Sequence, residues 1–163
     1  MSDNELDDIP ANTNHDSTLE NDLPTVRIIS FGHRRGPLIP EPHLSIDLRN
    51  LPNPPKAIRN GQTGLTKPIR DWVFNDAAVQ TRFQSVCRQV QECLNTAQEN
   101  EETEVIIGVN CEIGKHRSVA FTEELGRVKF ESWNVIIEHR DVHIKRSSQK
   151  HRSRRDHDNE DDD

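Results

Sequence analysis

Aromatic residues make up only 4% of this 163-residue chain, and the hydrophobic set reaches only 31% against 30% charged. That is little apolar surface for a globular chain of this length, so part of it is expected to stay unfolded. No apolar run approaches the ~20 residues that a membrane-spanning helix needs, which argues against a membrane protein. The first 24 residues contain no Lys or Arg and no apolar stretch. A secretory signal is therefore not expected, and the Arg-rich, acid-poor character of a transit peptide is missing. There are only three cysteines, Cys87, Cys93 and Cys111. Without a leader they read as reduced thiols in the cytoplasm, with the nucleus as the alternative. No collagen, heptad or longer repeat period is present.

What is present is unevenly distributed. Residues 1–24 carry seven acids, residues 145–155 carry six bases (Lys145, Arg146, Lys150, Arg152, Arg154 and Arg155), and residues 156–163 carry six acids. The stretch 25–144 balances 15 bases with 15 acids. The expectation is one neutral domain over 25–144, near the common domain size, between disordered charged tails at 1–24 and 145–163.

Within the domain, Val26–Phe31 is a β-branched run closed by Gly32, and Leu44–Leu48 alternates as a strand does. Three prolines among residues 52–55 make a rigid loop after that strand, and residues 56–64 read as irregular. Thr66 and Pro68 open a helix ending near Phe74. Val79, Phe83, Val86, Val90, Cys93 or Leu94, and Ala97 form one stripe of a helix over 76–99. On that helix Cys87 and Cys93 are ordinary structural positions. Glu104–Asn110 is a strand buried on both faces, residues 116–129 a helix, and Asn134–His139 a last strand. The order β β α α β α β predicts a small layered α/β domain with a mostly parallel four-stranded sheet covered by helices.

The segment Asn110–Ser118 lies between the buried strand and a helix start, where open α/β sheets bind ligands. Gly114 permits a tight wrap, and Lys115, His116 and Arg117 supply cationic donors. Ser118 reads as a helix cap. The helix start adds unpaired amides and a positive dipole end, so the turn reads as an anion site, most simply for phosphate. The plain alternative is a charged surface loop with a cap. A Walker A loop does not fit: five residues separate Gly108 from Gly114, and His116 stands in place of Ser or Thr. Cys111, Gly114, Arg117 and Ser118 do satisfy C-x-x-G-x-x-R-S, which resembles the phosphate loop of cysteine-dependent protein tyrosine and dual-specificity phosphatases. There the Cys is the nucleophile and the Arg holds phosphoryl oxygens. Against this, Asn110 replaces that family's His, and Glu112 places a negative charge beside the thiol.

A longer resemblance covers residues 25–142. Ser30-Phe31-Gly32 with Gly36, then Asp47-Leu48-Arg49-Asn50-Leu51-Pro52-Asn53-Pro54, then Thr63-Gly64-Leu65, then Cys111 to Val119, then His139-Arg140-Asp141 resemble, in order, the motifs of the C-terminal domain of RapZ-like proteins, also called the YvcJ family. The resemblance implies a domain that binds an amino-sugar phosphate, glucosamine-6-phosphate, and contributes to binding small regulatory RNAs. It implies that Cys111, Gly114, His116, Arg117 and Ser118 line a phosphate pocket, which Asp47, Arg49 and Asn53 complete. The family's N-terminal P-loop ATPase domain is not matched, so a separate C-terminal-like domain with no cofactor is expected. Glu112-Ile113 replaces the family's Thr-Gly, setting a carboxylate by the cradle and a β-branched residue where glycine gave conformational freedom.

The expectation is thus a non-enzymatic module that binds a sugar phosphate or nucleotide, with the cysteine phosphatase as the alternative. Asp47 and Arg49 can equally form a purely structural pair. The basic run from Lys145 to Arg155 is a candidate RNA contact through phosphate electrostatics, a localisation patch, or a solvated tail neutralised by the acids that follow. Self-association as a homo-oligomer stays open. His139 and His143 leave a strand and make no metal pair. Trp72 and Trp133 are expected in packing, and Asp71 and Glu123 have no assigned partner.

Overall fold

The computed structural model describes residues 22–145. The tails assigned to 1–24 and 145–163 lie outside it, except for Asp22–Pro24 and an exposed Lys145. The elements run β1 (Thr25–Gly32), β2 (Leu44–Asp47), α1 (Lys56–Arg59), α2 (Lys67–Phe74), α3 (Ala77–Glu99), β3 (Glu104–Cys111), α4 (Arg117–Leu125) and β4 (Asn134–His139). The four strands form one sheet in the order β2-β3-β1-β4, with every pair parallel. This is the expected α/β class, and the strands fall where the β-branched runs placed them.

The pleat sorts the side chains into two layers. Val26, Ile28, Ile46, Val105, Ile107 and Val109 join the helices in the main core. Ile29, Phe31 and Ile106 face the other way and form a second cluster with Leu38, from the segment joining β1 to β2. Helices therefore cover one face only, and the second face is covered in part by residues 33–43. β3 is buried on both faces, as its apolar run predicts.

The stripe on α3 buries Val79, Val86, Val90, Leu94 and Ala97. Leu94 takes the inward position, and Cys93 is half-buried. Burial raises the pKa of both Cys87 and Cys93, consistent with packed neutral thiols. Asp76 caps this helix by accepting hydrogen bonds from the Ala78 and Val79 amides.

Several local expectations need correction. The stretch read as irregular after the prolines contains α1, whose start follows Pro55. Thr66 occupies the N-cap of α2, but its hydroxyl donates to the Thr63 carbonyl instead of capping. α4 ends at Leu125, not Lys129. A side chain on Gly126 would collide with Ile137 of β4, so the bare Cα is what lets strand and helix end pack together. Ser118 is not a cap either: the N-cap position is His116, and Ser118 lies inside the first turn. Asp71 pairs with Lys67 across one helical turn. Trp133 is buried and Trp72 packs against the main core, as expected.

Candidate functional site

All four strands end on one edge, and the five motifs meet there. β1 ends at Gly32 opposite Cys111, β2 ends at Asp47 opposite Asn110, and Ser30 lies opposite His139 of β4. The carboxyl ends of parallel strands are where an α/β sheet presents ligand sites.

The turn from Cys111 to Ser118 is built on close backbone approach. Gly114 has φ +87°, a region that side chains disfavour. A Cβ on it would lie 2.5 Å from the Gly32 nitrogen, and one on Gly32 would lie 2.1 Å from the Ile113 carbonyl oxygen. Gly64 packs as tightly on the start of α4, where its Cβ would reach the Ala120 nitrogen at 2.4 Å. The glycines of three motifs thus let three segments touch. The left-handed residue is Gly114 and not Ile113, so the β-branched replacement at 113 does not meet the conformational conflict expected of it.

Arg117 is the brace. It is only 4% exposed, and its Nη1 donates to the carbonyls of Arg49 (3.1 Å) and Leu51 (2.9 Å) in the proline loop. His116, also buried, pairs through Nε2 with the Gln62 carbonyl at 2.9 Å, and the Gly64 amide donates to the Lys115 carbonyl. The turn therefore holds both the proline loop and the Thr63-Gly64-Leu65 loop. Lys115 is half-buried beside them.

Asp47 and Arg49 form a two-pronged pair, with Nε to Oδ1 at 3.0 Å and Nη2 to Oδ2 at 2.9 Å. The Asn110 amide donates to Asp47 Oδ1 at 3.2 Å. The hydrogen bond from Arg49 is the main cause that lowers the Asp47 pKa to about 2. Because the folded-state value lies below the ordinary one, this contribution to stability is full above about pH 4 and is lost as pH falls toward 2. Asp47 is half-exposed, so the effect is at most ~1 kcal/mol. Acid unfolding of Arg49→Ala should show a shallower stability loss between pH 4 and 2 than the wild type; identical profiles would contradict the assignment.

Glu112, the carboxylate expected to repel an anion, is paired. Arg34 Nε donates to it at 3.0 Å, and the Arg34 amide donates to its carbonyl. The charge at the mouth of the turn is thereby offset.

Cys111 is fully buried. Its Sγ lies 3.1 Å from Ser118 Oγ and accepts from the Ser118 amide at 3.3 Å. A thiol so enclosed is a poor nucleophile toward a phosphoryl group arriving from solvent.

Five other residues of this edge have no place in the site on sequence alone. The His139 ring bridges Ser30 Oγ (2.7 Å to Nδ1) and Glu123 (2.8 Å to Nε2), which gives Glu123 its partner and ties β1, β4 and α4 together. Asp141, also buried, accepts from the Gly32 amide at 2.8 Å and is held by Arg140. Arg140 in turn donates to the Gly36 and Pro37 carbonyls. The signal was available in Ser30-Phe31-Gly32 and His139-Arg140-Asp141, whose mutual contact only the parallel pairing reveals. Among the described residues no group of His, Cys, Asp or Glu is arranged to hold a metal, and no helix is long and apolar enough to cross a membrane. Of the candidate RNA contacts only Lys145 is described; Arg146, Lys150, Arg152, Arg154 and Arg155 lie outside the described residues.

These features define an all-parallel α/β domain whose chemistry is gathered at one sheet edge around a glycine-bearing turn. The family model described as the RapZ C-terminal domain matches residues 24–143, and the chain belongs to that family. It is similar to proteins named "Nucleotide-binding protein" from Thermosipho melanesiensis (37% identical over 120 residues) and Thermosipho africanus (33%), in each case covering 72% of this chain and 42% of the relative. A protein of the same name from Lactiplantibacillus plantarum is 30% identical, with 40% of its length covered. The chain thus spans about two fifths of the length of these curated relatives.

Proposed function

We propose that this chain is a non-enzymatic module whose 25–144 domain binds a phosphorylated small molecule, a sugar phosphate or a nucleotide, at the Cys111–Ser118 turn. The observation that carries the reading is the convergence of all five family motifs on that turn, with Gly114 in a left-handed conformation at the start of α4. Backbone amides and the helix dipole favour an anion there. Lys115, His116 and Arg117 supply positive charge and donors, and Ser118 with Cys111 fixes the base of the turn. Asp47, Arg49 and Asn53 of the braced proline loop complete the site, with the Asp47 carboxylate suited to sugar hydroxyls. The names of the relatives support a phosphorylated ligand. The electrostatics of the run from Lys145 to Arg155 support an RNA contact as an added role.

The test is a thermal-shift series with inorganic phosphate, glucosamine-6-phosphate and nucleoside monophosphates. A ligand at about 100 times its Kd should stabilise the wild type by ~2.7 kcal/mol, and Lys115→Ala should weaken that shift. No shift with any of these ligands would reject the reading. The phosphatase alternative demands aryl phosphate hydrolysis that vanishes in Cys111→Ser; the buried thiol predicts none.

A further inference from the structure

The helix-free face of the sheet carries a second concavity. A cleft of about 520 Å³ opens between the carboxyl ends of β1, β3 and β2 and the segment 36–42. Its size is that of a small-molecule pocket. The floor is apolar: Phe31 and Leu38, each 8% exposed, with Pro42. Gly108 makes that floor possible, because a Cβ there would come within 3.0 Å of Pro42 and 3.1 Å of both Leu38 and Phe31. This accounts for a glycine inside an otherwise continuous apolar strand.

The rim is polar and unengaged. His33, Glu41 and Ser45 are exposed lining residues whose side chains make no hydrogen bond to any described residue. Asn110, 6% exposed, uses its Nδ2 on Asp47 while its Oδ1 accepts from no described residue. At the outer lip stands Ile39, 89% exposed, a large apolar side chain with little to cover it. An apolar floor with donors and acceptors only along the edge suits a flat ring that is apolar on its face and hydrogen-bonding at its margin. A hexose, hydroxylated all round, would leave hydroxyls unpaired on Phe31 and Leu38.

The cleft also adjoins the turn. Asn110 directly precedes Cys111, and His33 directly follows Gly32, whose backbone Gly114 touches. We infer that this cleft is the subsite for the base of a nucleotide whose phosphate lies on the Cys111–Ser118 turn. This inference rests on the phosphate reading of that turn and narrows its ligand to a nucleotide. The base lies over Phe31 and Leu38, Asn110 and Ser45 read its edge, and Ile39 covers its outer face.

The experiment is isothermal titration of the full chain with AMP, GMP, CMP, UMP, adenosine, inorganic phosphate and glucosamine-6-phosphate, repeated on Ser45→Phe. Ser45 is exposed and outside the core, so its replacement fills the cleft without disturbing packing; melting curves confirm the fold. At least one nucleotide should bind roughly tenfold or more tighter than phosphate and than the sugar phosphate. Ser45→Phe should bring that nucleotide to the level of phosphate, with phosphate binding itself unchanged. Phosphate binding with no nucleotide advantage, or an advantage that Ser45→Phe leaves intact, overturns the cleft assignment while sparing the turn. Adenosine binding that Ser45→Phe abolishes, with no phosphate binding, supports the cleft and overturns the turn. Binding of nothing overturns both.

Discussion

Gly114→Val should cost the domain about 3–5 kcal/mol. Two penalties coincide there. A β-branched residue at φ +87° carries strain of ~1–3 kcal/mol. Its Cβ would also press on the Gly32 nitrogen and the Phe31 carbonyl carbon, at 2.5 and 2.8 Å, and overpacking of this kind costs a further ~1–3 kcal/mol. Both neighbours are backbone in the central strand, so neither yields as a side chain would. Against a typical domain stability of ~5–15 kcal/mol, the melting temperature should fall by more than about 10 °C. Gly36→Ala is the matched control. Its φ is +95°, also positive, but nothing lies within 4 Å of the added atom, so only the strain of about 1 kcal/mol applies. Melting curves followed by far-UV circular dichroism compare the two; equal losses would mean that close approach to β1 does not shape the turn.

Arg117→Ala should cost about 2–4 kcal/mol and abolish ligand stabilisation together. The guanidinium is buried and holds the carbonyls of Arg49 and Leu51. Removing it leaves two part-buried acceptors without their donor, at ~1–3 kcal/mol each when water does not replace it. The proline loop is then released from the turn, and Asp47, Arg49 and Asn53 lose their fixed place. Arg117→Lys tests the geometry, since a point charge on a flexible stem does not reproduce the planar fork. It should restore part of the stability and little of the binding. A variant as stable as the wild type, with its proline loop unchanged, would show that Arg117 is no brace.

These two expectations show what the sequence made legible. Strands β1, β3 and β4 are β-branched runs, and periodicity alone identifies the α3 stripe, so the layered fold follows from local pattern. The Cys111–Ser118 turn is equally readable, because glycine and three cationic residues at a strand-to-helix junction carry their own physical meaning. Contacts between distant segments are another matter. Ser30 and His139 are 109 residues apart and meet only because β4 docks beside β1. Whether Asp47 and Arg49 pair with each other or with something else is not written in their spacing; the structure shows the pair and adds Asn110. Arg117 reads as an anion donor from its motif, yet its Nη1 faces two carbonyls contributed by a loop more than sixty residues earlier. The early end of α4 escaped because Gly126 is the only local cue, and its reason is Ile137 on another element. The cleft was invisible because its lining comes from β1, β2, β3 and the segment joining β1 to β2.

The most direct measurement is a ¹⁵N-resolved NMR titration of the full chain with inorganic phosphate. The account predicts the largest amide shifts at Gly114 through Ser118, with smaller ones at Arg49 and Gly64, whose loops the turn holds. Shifts spread evenly over the exposed lysines and arginines, or none at the turn at saturating phosphate, would contradict it.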